Sequence, residues 1–329
     1  MSFRTLLSSL VQSPPLVMAT GCAITAIGPL VSPLGGISSL GLMQALNVLA
    51  FATNVAAVSV PGRLDGQQQN RMQSGNLNPK ANETTSLLTS SPSSAQSKKR
   101  EEDPRQPPLS SSLRDRTLLL PAGWAFSIWG PIYLGEAAFC VAQFVDSTNL
   151  ATTLPQVTGP FVAANLLQSL WCASFRPSYN DGWNKYVSAA MLGGTAFSLS
   201  QLPGDLSWFF LPMVMHFGWT TAATLVNING SLAMEENFPD YGVVATGHAS
   251  TVLATALGVS LTAFHYTTPA YGFTVAWALA AVANGTNYES HEHQWSNSLI
   301  TGAKVQKALC WTGSILCLAA SGLAASGSI

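Results

Sequence analysis

Charge is missing from most of this chain. No Asp, Glu, Lys or Arg lies between Arg4 and Arg63, Asp146 and Arg176, Lys185 and Asp205, Asp205 and Glu235, Asp240 and Glu289, or after Lys307, and only Glu136 interrupts the run from Arg116 to Asp146. A helix crosses a hydrocarbon layer about 30 Å thick with about 20 predominantly apolar residues, at about 1.5 Å per residue. Allowing for turn residues, the gaps predict eight transmembrane helices near residues 40–60, 121–144, 156–175, 186–203, 208–231, 243–266, 270–288 and 308–327. The long gap before Glu289 divides at His265–Pro269, because proline ends one helix and lets another begin. The expected fold class is all-α, a polytopic transmembrane helix bundle.

Charged residues make up 9% of the 329, against roughly 25% in an average soluble domain. The formal net charge of -1 supplies no basic excess for phosphate backbones, so nucleic acid is not an expected partner and the lipid bilayer is. Lys and Arg in short loops mark the non-translocated side. Nine basic residues from Arg63 to Arg116 lie between the first two spans, Arg176 and Lys185 two spans later, and Lys304 and Lys307 four spans after those. With eight spans these 13 residues share one side, and the opposite loops hold Asp146 and Asp205 but no base.

Two segments fall outside this pattern. Residues 1–39 begin with a Ser-rich stretch without acid. Within them 16–37 are uncharged, but Pro14, Pro15, Pro29, Pro33 and Gly35–Gly36 argue against a straight helix. They are held as a ninth span or a targeting segment, with mitochondrial, plastid and endomembrane destinations open. Residues 61–117 are rich in Ser, Gln, Asn and Pro, too polar to bury a core, and read as a solvated disordered loop with phosphorylation as one lever. Asn82-Glu-Thr84 fits a glycosylation acceptor, but the charge rule puts it on the side where such sites stay unmodified.

Catalytic and metal chemistry find little footing. Cys22, Cys140, Cys172, Cys310 and Cys317 lie in apolar stretches with no Cys-x-x-Cys spacing and read as small buried hydrophobes. His291-Glu-His293 is the densest group of metal-capable side chains, yet residues two apart face different sides of a helix, so no metal site is expected. No phosphate-cradling loop or Gly-x-Ser-x-Gly stands out, so the chain is not read as an enzyme and no cofactor is required.

The informative chemistry lies inside the spans. Trp129, Tyr133 and Glu136 are spaced i, i+4, i+7 and share a helix face, with Pro131 expected to kink it. An acid near the middle of a span costs roughly 2.5 to 3.5 kcal/mol on insertion scales, so Glu136 should turn inward toward a partner or a wet cavity. Asn165, Gln168, Trp171 and Phe175 form a second stripe, and Pro212, His216, Trp219, Ala223 and Asn227 a third. Lipid offers amides no hydrogen-bond partner, so the stripes should meet in the bundle interior, as interhelical glue or as an aromatic pocket. Trp183, Trp208 and Trp295 near span ends read as interface anchors. His248, Thr251, Thr255, Thr262 and His265 draw a further polar line, open to packing or to a hydrophilic path.

Pro121-Ala-Gly-Trp-Ala-Phe-Ser-Ile-Trp-Gly-Pro-Ile-Tyr133 resembles the opening of the second helix in the tryptophan-rich sensory proteins, the TspO/MBR or translocator-protein family. Trp171-x-x-x-Phe175 looks like that family's third-helix motif, and Trp219-x-x-x-Ala223-x-x-x-Asn227 matches its fifth. Three departures stand out: Phe126 and Trp129 are one residue closer than in the short members, Gln168 replaces the usual Asn, and Pro212 precedes Trp219 by seven residues instead of four. The resemblance covers roughly residues 40–231. It implies a five-helix core, with residues 40–60 as its first helix and 118–231 as helices two to five, followed by three additional spans in 232–329.

Family members bind porphyrins, haem-related tetrapyrroles and sterols between helices. The resemblance therefore implies a receptor or sensor for a flat hydrophobic small molecule of porphyrin or haem type, or a sterol. Trp124, Trp129, Tyr133, Glu136, Asn165, Gln168, Trp171, His216, Trp219 and Asn227 are the candidate ligand-binding residues. The alternative is a proton-coupled transporter, motivated by ionisable groups at membrane depth, Glu136 with His216 or His248, although the sequence shows no convincing inverted repeat. The small residues Ala319–Gly327 suit a structural subunit of a membrane complex or a homo-oligomer.

Overall fold

The computed structural model describes residues 11–31, 39–59, 116–145, 151–175, 179, 182–203, 208–264, 267–286, 288–289 and 295–328. Among these residues the chain forms nine α-helices and no strand. They are α1 (Pro14–Val31), α2 (Leu40–Val58), α3 (Trp129–Val145), α4 (Leu154–Trp171), α5 (Val187–Leu199), α6 (Leu211–Ala233), α7 (Asp240–Ala263), α8 (Pro269–Gly285) and α9 (Asn297–Ala325). Short 3-10 segments precede α3 (Gly123–Ile128), α5 (Gly182–Tyr186) and α6 (Trp208–Phe210), and Cys172–Phe175 follows α4. The segment around 61–117, apart from its last two residues, and His291–His293 and His265 lie outside the described residues.

Three expectations are corrected. Residues 14–31 are helical despite their prolines, because Pro14 and Pro15 occupy the first turn, where backbone N–H groups have no helical acceptor. Pro131 produces no kink for the same reason, since it stands in the first turn of α3, and the residues before it form the tighter 3-10 turn instead. α9 begins eleven residues ahead of the expected 308 and places Lys304 and Lys307 inside the helix. Its 29 residues reach about 44 Å, more than the hydrocarbon thickness, so its first turns can carry charge. Both ammonium groups lie near the Tyr288 ring, at 5.5 and 5.9 Å from its centroid.

Polarity is inverted relative to a water-soluble fold. Leu49, Leu134, Val141, Val145, Val252, Phe273 and Ile315 face outward, whereas Gln44, Asn47, Asn54, Glu136, Gln143, Asn165, Gln168, His216 and Gln306 are buried. Lipid rewards the first set, and interhelical hydrogen bonds satisfy most of the second. Four helical stretches are long and apolar enough to cross a bilayer unaided: Leu40–Val58, Gly123–Val145, Asp240–Ala263 and Asn297–Ala325. The others are shorter or more polar, and α4 and α8 bury most of their residues in the bundle, where apolarity toward lipid is not required.

The loops carrying basic residues meet at one end. Arg116 donates to the carbonyls of Ala233, Glu235 and Phe238 and pairs with Asp240 at 3.1 Å, clamping the α6–α7 connection. Lys185 meets Glu235 at 3.0 Å, and Ser296 at the head of α9 donates to Asp240 at 2.6 Å. Part of the polar line on α7 packs on α9: His248 reaches the Gly302 carbonyl at 3.1 Å, Thr251 bonds Gln306 and Cys310, and the Thr255 carbonyl faces the Cys317 thiol. Cys140, Cys172, Cys310 and Cys317 are buried as expected; Cys22 is not, because its side of α1 faces outward.

Candidate functional site

The site grows from the approach of α3 to α6. Gly135 has no side chain, and a Cβ there would come within 2.6 Å of Pro212 Cβ. The two helices therefore touch one turn ahead of His216, which brings His216 Nδ1 to 2.8 Å from Glu136 Oε1. Both side chains are fully buried. This pairing answers the problem posed by a lone acid in a span, because an unpaired carboxylate in that medium would be far more costly.

Trp129 lies between this pair and the rest of the cluster. Its ring stacks on Tyr133, with centroids 5.2 Å apart and planes at 18°, and meets His216 and Trp219 edge-on at 5.4 and 6.1 Å. Gln168 of α4 donates from Nε2 to the Tyr133 hydroxyl at 2.9 Å. Phe126 packs edge-on against Trp219 at 5.7 Å, and Phe51 of α2 leans on Tyr133 at 6.2 Å. Trp129, Tyr133, Glu136, Gln168, His216 and Trp219 thus form one group. Three of its buried polar atoms have no hydrogen-bond partner among the described residues: Glu136 Oε2, Gln168 Oε1 and His216 Nε2.

The remaining candidates fall elsewhere. Trp171 Nε1 donates to Ser188 Oγ at 2.9 Å, Ser188 donates to Asn227 Oδ1 at 2.6 Å, and Asn227 Nδ2 returns to the Ala223 carbonyl at 2.8 Å. This relay ties α4, α5 and α6 together nearer the basic end. Asn165 accepts from Asn54 of α2 at 2.9 Å. Trp124 stands apart from all of these, 41% exposed and edge-on to Trp277 at 4.8 Å. About three residues per 3-10 turn put Phe126 and Trp129 on one side, toward Trp219, and Trp124 on another with Ser127, whose hydroxyl bonds the Trp124 carbonyl.

Sequence reasoning missed Phe51, Ser188 and the amides of α2. Gln44, Asn47 and Asn54 follow helical spacing, and that stripe was a usable signal; Ser188 has none. A cavity of about 20 Å³, room for one water, adjoins Ala222, Val226, Ser250, Ala254 and Leu279 between α6, α7 and α8.

An apolar exterior, amide-rich interior and apolar spanning helices define an integral, multi-pass membrane protein of helix-bundle type. A family model of TSPO-like proteins matches residues 107–319, and the chain belongs to that family. The match begins after α2 and runs through α8 into α9, whereas the motif resemblance placed the family pattern at roughly residues 40–231. No curated protein and no solved structure matches the chain.

Proposed function

We propose that the protein is a membrane receptor or sensor that binds a flat hydrophobic ligand, of tetrapyrrole or sterol class, among Trp129, Tyr133, Gln168, His216 and Trp219. One observation carries this reading: three fully buried polar atoms without partners converge on a single aromatic cluster. Among the described residues Asn47 Oδ1, Asn54 Oδ1 and Gln306 Oε1 are also unpartnered in the packed interior, but here three such atoms belong to residues of one aromatic group, and each costs about 1 to 3 kcal/mol. A ligand that stacks on the indoles and bonds those atoms recovers that cost. Trp171 and Asn227 hold the wall through Ser188, and Asn165 holds α2 against it.

Titration with protoporphyrin, followed by tryptophan quenching in detergent-purified protein, tests the reading. Saturable quenching is expected in wild type, with affinity roughly tenfold weaker in Trp219→Ala, equivalent to about 1.4 kcal/mol. Absence of saturable quenching in wild type rejects it. The buried Glu136–His216 pair favours a second reading, proton-coupled transport. Proteoliposome uptake that responds to a proton gradient and is lost in Glu136→Gln would support that reading; uptake indifferent to both would remove it.

A further inference from the structure

Lys304 and Lys307 of α9 stand at i, i+3, so their side chains share a helix face. Both ammonium groups lie over one ring, Tyr288, at 5.5 and 5.9 Å from its centroid. The ring face attracts each cation but offers no lone pair, and two like charges at this spacing oppose each other. Among the described residues neither lysine has an ion pair. Asp240 is engaged by Arg116 and Ser296, and Glu235 by Lys185 and Tyr186. Two positive groups are therefore gathered at one spot, with N–H donors left for an anion.

The depth of the pair selects the anion. About 20 residues of helix cover the hydrocarbon layer, and counted back from Ala325, the end of α9, they reach Gln306. Lys304 and Lys307 stand at that boundary. Helical side chains lean toward the N-terminus, so both ammonium groups are carried outward to headgroup level. Farther along the same face Trp311, Ile315 and Leu318, at i+7, i+11 and i+14 from Lys304, turn outward, 43%, 63% and 45% exposed. The face is cationic at the headgroups, aromatic below them and aliphatic beneath that. A soluble phosphate would engage only its first part.

We propose that this face of α9 binds an anionic phospholipid, with its phosphate between Lys304 and Lys307 over Tyr288 and its acyl chains along Trp311, Ile315 and Leu318. A zwitterionic lipid fits less well, because its choline would bring a third cation to a spot that already holds two. The site shares no residue with the Trp129–His216 group and is independent of the ligand-binding reading above.

Native mass spectrometry of the full-length protein in detergent tests the site, with phosphatidylglycerol and phosphatidylcholine of matched chains offered at equal concentration. One phosphatidylglycerol should be retained with about tenfold preference. Lys304→Gln/Lys307→Gln should abolish most of that preference. Lys98→Gln/Lys99→Gln removes the same charge from the polar segment before α3 and should leave it intact. Tyr288→Leu keeps both lysines but not the ring that gathers them, and should lower the preference about threefold; it decides the matter if the double variant does not fold. Excess glycerol phosphate should not displace the lipid, because it brings no chains for Trp311 and Ile315. Equal retention of the two lipids by the wild type, equal losses in the two double lysine variants, an unchanged preference in Tyr288→Leu, or displacement by glycerol phosphate would each overturn the proposal.

Discussion

Asn54 of α2 donates from Nδ2 to Asn165 Oδ1 of α4 at 2.9 Å. Asn47, seven residues earlier, makes the corresponding contact to Thr158, seven residues earlier on α4, at 3.2 Å. The constant offset means that α2 and α4 run parallel in one register, and Gln143 of α3 joins the lower rung by accepting from Asn47 at 3.0 Å. α2 lies outside the family-matched segment, yet these amides fix it against the site, where Phe51 meets Tyr133. Asn54→Leu should therefore cost about 1 kcal/mol, a typical interhelical hydrogen bond in a membrane. Asn47→Leu/Asn54→Leu should cost about twice that, because the rungs are far enough apart to add. Helicity during SDS titration in mixed micelles gives the measurement. An unchanged midpoint in the double variant would show that these amides do not hold α2.

Glu136→Ala removes one partner of a buried pair and leaves His216 with none at Nδ1. The expected loss is about 3 kcal/mol, at the low end for breaking such a pair. Glu136→Gln keeps a hydrogen-bonding group at that position and should cost about 1 kcal/mol. A double-mutant cycle with His216→Phe should give a coupling above about 1 kcal/mol from melting midpoints in nanodiscs. Additive losses would mean that the 2.8 Å contact contributes nothing to stability.

These same residues show what the sequence made legible. Charge gaps located eight of the nine helices because lipid tolerates few ionised groups, and the stripe Trp129, Tyr133, Glu136 announced an inward face. Two things were hidden for physical reasons. Proline content masked α1, since the effect of proline depends on which turn it occupies. Lys304 and Lys307 masked the start of α9, since a helix longer than the membrane is thick can carry charge at its end. Partnership was not legible either: spacing placed Glu136 and His216 on inward faces, but only the Gly135–Pro212 contact decides that they meet. Trp124, a candidate through the motif resemblance alone, lies apart from the cluster because the 3-10 segment turns it to a different side from Phe126 and Trp129.

Gly285 sets how closely the end of α8 approaches the strand of chain leading to α3. A Cβ there would collide with the Leu120 carbonyl and come within 2.6 Å of the Ala122 nitrogen, both backbone atoms that cannot rotate away. The same contact holds the 3-10 segment through Ala122 N–H to the Ala281 carbonyl at 2.9 Å and Trp277 Nε1 to the Ala125 carbonyl at 3.0 Å. Gly285→Ala should destabilise by about 2 kcal/mol and weaken porphyrin quenching, because Phe126 and Trp129 follow that segment. Gly322→Ala is the control: nothing lies within 4 Å of its Cβ position, so stability should stay level or rise slightly through helix propensity. Equal effects of the two substitutions would contradict the close approach.

The basic end should respond to acid and to alkali through one triad. Lys185 and Tyr186 both donate to Glu235 Oε1, at 3.0 and 2.8 Å, and those bonds hold the Glu235 carboxyl below its ordinary value of 4.5. A lowered carboxyl contributes stability that is present above about pH 4.5 and lost as pH falls through the depressed value. Burial, and then the bond to the carboxylate, push Tyr186 up from 10.0 to about 12. Its contribution is present below about pH 10 and lost as pH rises toward about 12. Melting midpoints recorded in detergent across both windows should fall at each extreme. Glu235→Gln should flatten the acid limb and shrink the alkaline one, whose onset stays near pH 10, because Tyr186 would no longer face a carboxylate and its raised value would fall back toward the ordinary one. An acid limb identical in wild type and Glu235→Gln would show that the triad does not hold the α5 and α6 ends together.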